Sequence, residues 1–228
     1  MSYGGTIMSI IRLENVTYTY RGAEAPAVKG ASCEFETGEM YAVIGPSGSG
    51  KRTLLSMLAG LDLPTEGDVY FGEEKLRDMD LDRYRREDIA MIFQAFHLFP
   101  LMTVEENVCY PMELCGMHPR EAKERARPLL EGVGIRKEKH GRFPSNLSGG
   151  EQQRVAIARA LSSGAKVILA DEPTGNLDAG NTVNVIRLLG QLAHEKGCCV
   201  IVVTHDPEVA DLADTVYRVK DGVLTLER

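Results

Sequence analysis

Two segments of the chain, Val167–Ala170 and Cys199–Val203, are uninterruptedly apolar. That pattern suits strands covered on both faces in a parallel sheet. Shorter β-type runs recur at Ile11–Tyr20, Ser32–Glu36, Met40–Ile44, Asp68–Phe71, Ile89–Phe93 and Thr215–Val219. Helical patterns follow several of them, at Arg52–Leu61, Gln152–Leu161, Thr182–His194 and Pro207–Asp214. Such alternation predicts βαβ units and an α/β fold. Between about Gln94 and Ser163 the character changes to charged, helix-forming sequence such as Pro119–Gly132, broken at Gly141–Pro144, which reads as a helical insertion. With no repeat, low-complexity tract or linker, the expected organisation is a single domain, 1–228. Residues 1–93 and 164–228 form its α/β core and 94–163 a helical subdomain. Tyr3-Gly4-Gly5 stands before the patterned sequence starts at Ser9, so residues 1–8 read as a tag or a disordered start.

A length of 228 residues suits one hydrophobic core, and 43% hydrophobic with 26% charged residues is ordinary globular usage. Twenty-six Lys and Arg against 33 Asp and Glu give a net charge of −7, opposite to the footprint of a general nucleic-acid binder, so no nucleic-acid partner is expected. The most apolar run, Cys198–Val203, is far shorter than the ~18 residues that cross a bilayer. Met1–Ile7 lacks the basic and apolar regions of a signal peptide. A cytoplasmic chain without direct membrane insertion is the expectation. Five cysteines at unhelpful spacings fit neither a disulfide framework nor paired zinc ligands and read as small buried apolar residues.

The run Met40–Ile44 leads into Gly45-Pro46-Ser47-Gly48-Ser49-Gly50-Lys51 and then a helical pattern from Arg52. Glycines at this spacing let successive backbone N–H groups face one concavity, where the helix N-terminus adds partial positive charge and Lys51 reaches the β- and γ-phosphates. The expected ligand is a nucleoside triphosphate. One position departs from the pattern: the residue after the lysine should carry a hydroxyl for Mg²⁺, and here it is Arg52. Thr53 is turned about 100° around the helix, so it is a poor direct substitute.

The strand Val167–Ala170 ends in Asp171-Glu172, placing two carboxylates at the ligand-binding edge of a parallel sheet. On its own this suits a solvated strand end equally well. With the phosphate loop upstream, Asp171 becomes a Mg²⁺ contact and Glu172 the base for an attacking water. Leu147-Ser148-Gly149-Gly150-Glu151 then opens another helix, where Ser148 caps and the bare Gly149-Gly150 backbone leaves N–H groups free for a second anion.

On these motifs the chain resembles the nucleotide-binding subunits of ATP-binding cassette (ABC) transporters over essentially Ser9 to Arg228. The resemblance implies a P-loop NTPase core with an N-terminal antiparallel β subdomain and an inserted helical subdomain. It implies two subunits packed head to tail, so that each ATP lies between the phosphate loop of one and the Ser148–Gly150 motif of the other. It further implies adenine stacking by Tyr20 with Val28 beside it, contact of Gln94 with the metal and the water, an interface loop at Asn176-Leu177-Asp178, and contact of His205 with the γ-phosphate. Pro173–Asp178, Phe143-Pro144 and Met102–Val108 are most similar to the branch that exports macrolides, lipoproteins and antimicrobial peptides.

The resemblance therefore implies an ATPase driving a separate transmembrane permease, held peripherally on the inner face of the membrane and using ATP with Mg²⁺. Alternatives are a regulatory nucleotide-binding subunit with little turnover, prompted by Arg52, and a non-transport ABC protein. Against the last, Lys51 and Ser148 lie only 97 residues apart and there is one cassette. In the resemblance Asp171 lies across the same small pocket as Arg52, leaving two places open to the guanidinium: an ion pair with Asp171, or the phosphates themselves. Either slows hydrolysis. Five large apolar residues, Phe96, Leu98, Phe99, Leu101 and Met102, suggest a permease groove between Gln94 and Val104, or else a seal at the subdomain junction.

Overall fold

The computed structural model describes residues 9–228, so the reading of residues 1–8 lies outside the described residues. The first half of the chain forms β1 (Ser9–Tyr18), β2 (Val28–Glu36), β3 (Met40–Ile44), α1 (Lys51–Leu58), β4 (Glu66–Phe71), β5 (Glu74–Lys75), α2 (Leu81–Glu87) and β6 (Ile89–Phe93). Three helices follow, α3 (Val104–Leu114), α4 (Pro119–Gly132) and α5 (Gly149–Ser162). The chain then returns to alternation with β7 (Val167–Asp171), α6 (Ala179–Lys196), β8 (Cys199–Thr204), α7 (Pro207–Leu212), β9 (Thr215–Lys220) and β10 (Val223–Leu226).

Two sheets result, a four-stranded one in the order β2-β1-β4-β5 and a six-stranded one in the order β10-β9-β3-β8-β7-β6. The first is antiparallel throughout, whereas in the second only the β10 edge is antiparallel. This is the α/β P-loop architecture that the motifs imply. Strand side chains alternate between two cores. Met40, Ala42, Ile168, Ala170, Val200 and Val202 face the helical layer, while Tyr41, Val43, Val167, Leu169, Ile201 and Val203 face α1 and the antiparallel sheet. Burial on both faces is why β7 and β8 carry no polar alternation.

Register then fixes where the chemistry lies. Ile44 pairs with Thr204, Asp171 with Val203, and Phe93 with Asp171, so the C-terminal ends of β3, β8, β7 and β6 stand in one row. The residues that leave those ends, Gly45, His205, Glu172 and Gln94, therefore emerge at one edge of the sheet.

Several expectations are corrected. Strand β1 stops at Tyr18, because Tyr20 leads into a turn whose Gly22 has φ +83°. Helix α1 ends at Leu58, before Gly60 at φ +62°, and α5 starts at Gly149, three residues earlier than its apolar pattern. Strands β5 and β10 and helix α2 had no counterpart in the pattern. Of the cysteines, Cys109, Cys198 and Cys199 are buried, Cys33 is half-buried and Cys115 is exposed at the end of α3, so the buried reading fails for Cys115. Burial pushes the Cys109 thiol up to about 11.

Candidate functional site

Between β3 and α1 the loop wraps around the Lys51 side chain, whose Nζ donates to the carbonyls of Gly45 at 2.7 Å and Pro46 at 2.9 Å. Burial draws the Lys51 ammonium below its usual value, the nearby Arg52 charge adds to this, and Glu172 and Asp171 oppose it. The conformation needs glycine at Gly50, where φ is +107° and a Cβ would collide with the Ala27 carbonyl. Tyr20, Pro46, Ser47, Gly48, Gly50, Lys51, Arg52, Thr53, Gln94, Asp171, Glu172 and His205 all line one cleft of about 720 Å³. Gly45 and Ser49 of the loop do not line it, and the Ser49 hydroxyl is buried without a hydrogen-bond partner among the described residues. Val28 is only 2% exposed, within β2 and against Gly50 of the loop, and its neighbour Ala27 lines the cleft.

Arg52 projects from the first turn of α1 and places Nε 2.8 Å from Asp171 Oδ2. The guanidinium side is open to solvent, 73% exposed, and the carboxylate is 11% exposed. Thr53 turns the other way, its hydroxyl 2.8 Å from the Tyr20 hydroxyl. The groups present do not assemble a Mg²⁺ site. The position that should carry a hydroxyl carries a cation, Asp171 is engaged by that cation, and the next hydroxyl along α1, Thr53, is bound to Tyr20. Among the described residues no cluster of three His, Cys, Asp or Glu side chains is placed to hold a metal ion.

Glu172 has a left-handed backbone, φ +49°, pinned by its amide donating to the Val203 carbonyl at 2.8 Å. Its carboxylate lies 2.8 Å from His205 Nδ1 and accepts from the Thr204 hydroxyl at 3.1 Å. Thr204, the last residue of β8, was not singled out by sequence; its adjacency to His205 was the available signal.

The chain does not bring Ser148, Gly149, Gly150 or Asp178 into this cleft. Ser148 caps α5 in a reciprocal capping box with Glu151, and Lys139 pairs with the same glutamate. Asp178 caps α6, accepting from the Asn181 amide at 2.9 Å and from the Asn181 side chain at 2.8 Å. Asn181 in turn packs where a Cβ on Gly150 would sit, which ties the α6 N-terminus to the α5 N-terminus. Nothing in the sequence pattern marks Asn181, because its partner lies on another element.

Gln94 reaches the cleft from the end of β6, and its carbonyl accepts from the Asn176 side chain at 2.8 Å. Just beyond it, Phe96 and His97 both take positive φ, 57° and 47°, and the Arg159 guanidinium donates to both carbonyls. A second cleft, of about 860 Å³, opens beside this turn with Met91, Phe93, Phe99, Tyr110, Leu114 and Arg159 on its walls. Leu98 packs against the core, whereas Leu101 is 90% exposed.

Residues 28–175 match the family described as ABC transporter. The ABC transporter ATP-binding protein YclH of Bacillus subtilis (strain 168) is 36% identical over 220 residues, covering 96% of this chain and 97% of that protein. The macrolide export ATP-binding/permease protein MacB of Marinobacter nauticus is 43% identical over 94% of this chain, which spans only 34% of MacB. Among solved structures, the dimeric, post-hydrolysis state of the ATP-binding cassette MJ0796 bound to ADP and Pi superposes with a TM-score of 0.86 at 40% identity, covering 96% of this chain and 98% of that one. With the phosphate loop, the Asp171-Glu172 strand end and the Ser148–Gly150 helix start each in place, the chain belongs to the ABC transporter family, as an ATP-binding cassette of the MacB-like branch.

Proposed function

We propose that this chain is the ATP-hydrolysing subunit of a transporter, driving a separate membrane permease in the export or extraction of drugs, peptides or lipoproteins. The observation that carries the reading is the convergence of Lys51, Glu172 and His205 on one cleft at a helix N-terminus. The amides of residues 45–50 and Lys51 hold the β- and γ-phosphates, Tyr20 stacks on adenine, and His205 touches the γ-phosphate. Gln94 contacts the water and relays nucleotide state to the permease. Glu172 takes a proton from the water as its oxygen bonds to the γ-phosphorus and the bond to the ADP oxygen breaks. The Thr204 hydroxyl and His205 hold the Glu172 carboxylate at the cleft and leave acceptor sites on it for the water.

A second copy completes the site, its Ser148–Gly150 motif and Asp178 loop facing the phosphates across a two-fold axis. The cleft beside the Phe96–His97 turn suits an apolar helix end of the permease, which would hold the cassette at the inner face of the membrane. This reading is supported by the ATP-binding/permease names of the MacB relatives and by the exposed apolar side chains there. Among the described residues no helix is long and apolar enough to cross a membrane.

Because Arg52 replaces the metal-binding hydroxyl, turnover is lower than in a cassette with serine there. The Arg52–Asp171 pair also favours a second reading, a regulatory subunit that binds nucleotide with little turnover. Phosphate release from the natural chain, Glu172→Gln and Arg52→Ser separates them. Turnover in the natural chain that Glu172→Gln abolishes supports the ATPase. Turnover only in Arg52→Ser supports the regulatory subunit, and turnover persisting in Glu172→Gln overturns the catalytic assignment.

A further inference from the structure

Helix α1 begins with two cations, Lys51 and Arg52, and has no acidic residue in its first turn. A basic residue opposes the helix dipole at that end, so the placement is favourable only when an anion lies against it. In the free chain that anion is Asp171, held through Nε alone at 2.8 Å. No other hydrogen bond or ion pair fixes the guanidinium among the described residues, and its remaining N–H groups face the cleft's solvent, 73% exposed. An ion pair that exposed is weak and exchangeable. A phosphate entering the loop offers more charge and a pair of oxygens that the planar guanidinium can bind bidentately.

The same arrangement works against a divalent cation. Asp171 carries the negative charge a metal would use, but Arg52 lies within hydrogen-bonding distance of it and repels a second cation from the shared space. Exchanging Arg52 for a hydroxyl would leave Lys51 alone beside Asp171, Glu172 and the phosphates, the situation in which a cassette needs a metal.

We propose that Arg52 is a built-in cation, so that this cassette binds ATP and ADP as the metal-free nucleotides. The guanidinium pairs with Asp171 while the pocket is free and with the β- and γ-phosphates once nucleotide enters. This rests on the ATP-binding reading above and adds that Mg²⁺ makes little difference to affinity.

Fluorescence titration of the full chain with mant-ATP, in EDTA and in excess Mg²⁺, tests it. The natural chain is expected to bind within about threefold in the two buffers, and Arg52→Ser to bind about tenfold tighter when Mg²⁺ is added, ~1.4 kcal/mol. Electron paramagnetic resonance with Mn²⁺ and ATP gives a readout independent of turnover. The natural complex is expected to capture no more Mn²⁺ than ATP alone, and the Arg52→Ser complex to capture more. A natural chain whose affinity rises with Mg²⁺ as steeply as that of Arg52→Ser, or whose complex captures extra Mn²⁺, overturns the inference and leaves ATP binding standing. No mant-ATP binding in either buffer overturns the ATP-binding reading and the inference with it. The arms on the natural chain decide the matter even if the variant fails to fold.

Discussion

With Nε 2.8 Å from Asp171 Oδ2, Arg52 occupies a carboxylate that a hydroxyl at the same place would leave free. Arg52→Ser is expected to raise phosphate release in Mg²⁺ on the order of a hundredfold, the equivalent of ~3 kcal/mol in the barrier. Equal rates in a Mg²⁺ titration of both proteins would show that the guanidinium is a bystander. Tyr20 is 50% exposed at the cleft and leans on Thr53 through its hydroxyl. Tyr20→Ala should weaken ATP by about fivefold, given ~1 kcal/mol for a lost aromatic stack, and leave inorganic triphosphate unaffected in competition binding. At this scale, residues whose role comes from their own chemistry were legible in the sequence: Lys51, Glu172 and His205 all reach one cleft. Thr204, Asn181 and Arg159 were not, because each acts through a partner from another element. Val28 sits differently, since its apolar side chain belongs to the core beneath the site.

Among elements, α5 depends on its first turn, where Ser148 and Glu151 satisfy otherwise orphaned amides. Ser148→Ala should lower stability by ~1 kcal/mol, visible as a reduced Tm, and should also lessen ATP-driven association. The segment after Gln94 splits into two kinds of apolar residue. Leu98→Glu buries a charge against the core and is expected to cost several degrees in Tm, about 2 kcal/mol or more. Leu101→Glu at a 90% exposed position should leave Tm and ATP binding unchanged while impairing stimulation by the permease. Comparable Tm losses in both variants would mean that Leu101 too is a packing residue. The central strands were readable because burial on both faces leaves an uninterrupted apolar run. Strand β10 was not, since three of its four residues face solvent and only the hairpin with β9 makes it a strand. Helix α2 was missed because its sequence Leu81–Glu87 buries Tyr84 alone.

On the scale of the whole molecule, the two cores join the six-stranded sheet to the helical layer on one side and to the antiparallel sheet on the other. The fold thereby brings the phosphate loop, Asp171-Glu172 and Gln94 together, and leaves Ser148–Gly150 outside the cleft of its own chain. The helix start proposed to bind an anion stands outside the cleft of its own chain, which is the reason for expecting association. Removing the proposed base while keeping its shape, with Glu172→Gln, should trap the nucleotide-bound state. Light scattering on Glu172→Gln coupled to sizing chromatography tests the composite site most directly. The expected mass is near the 25.0 kDa of one chain without nucleotide and about twice that with saturating ATP, in Mg²⁺ and in EDTA alike. A single-chain mass in saturating ATP under both conditions would contradict the composite site.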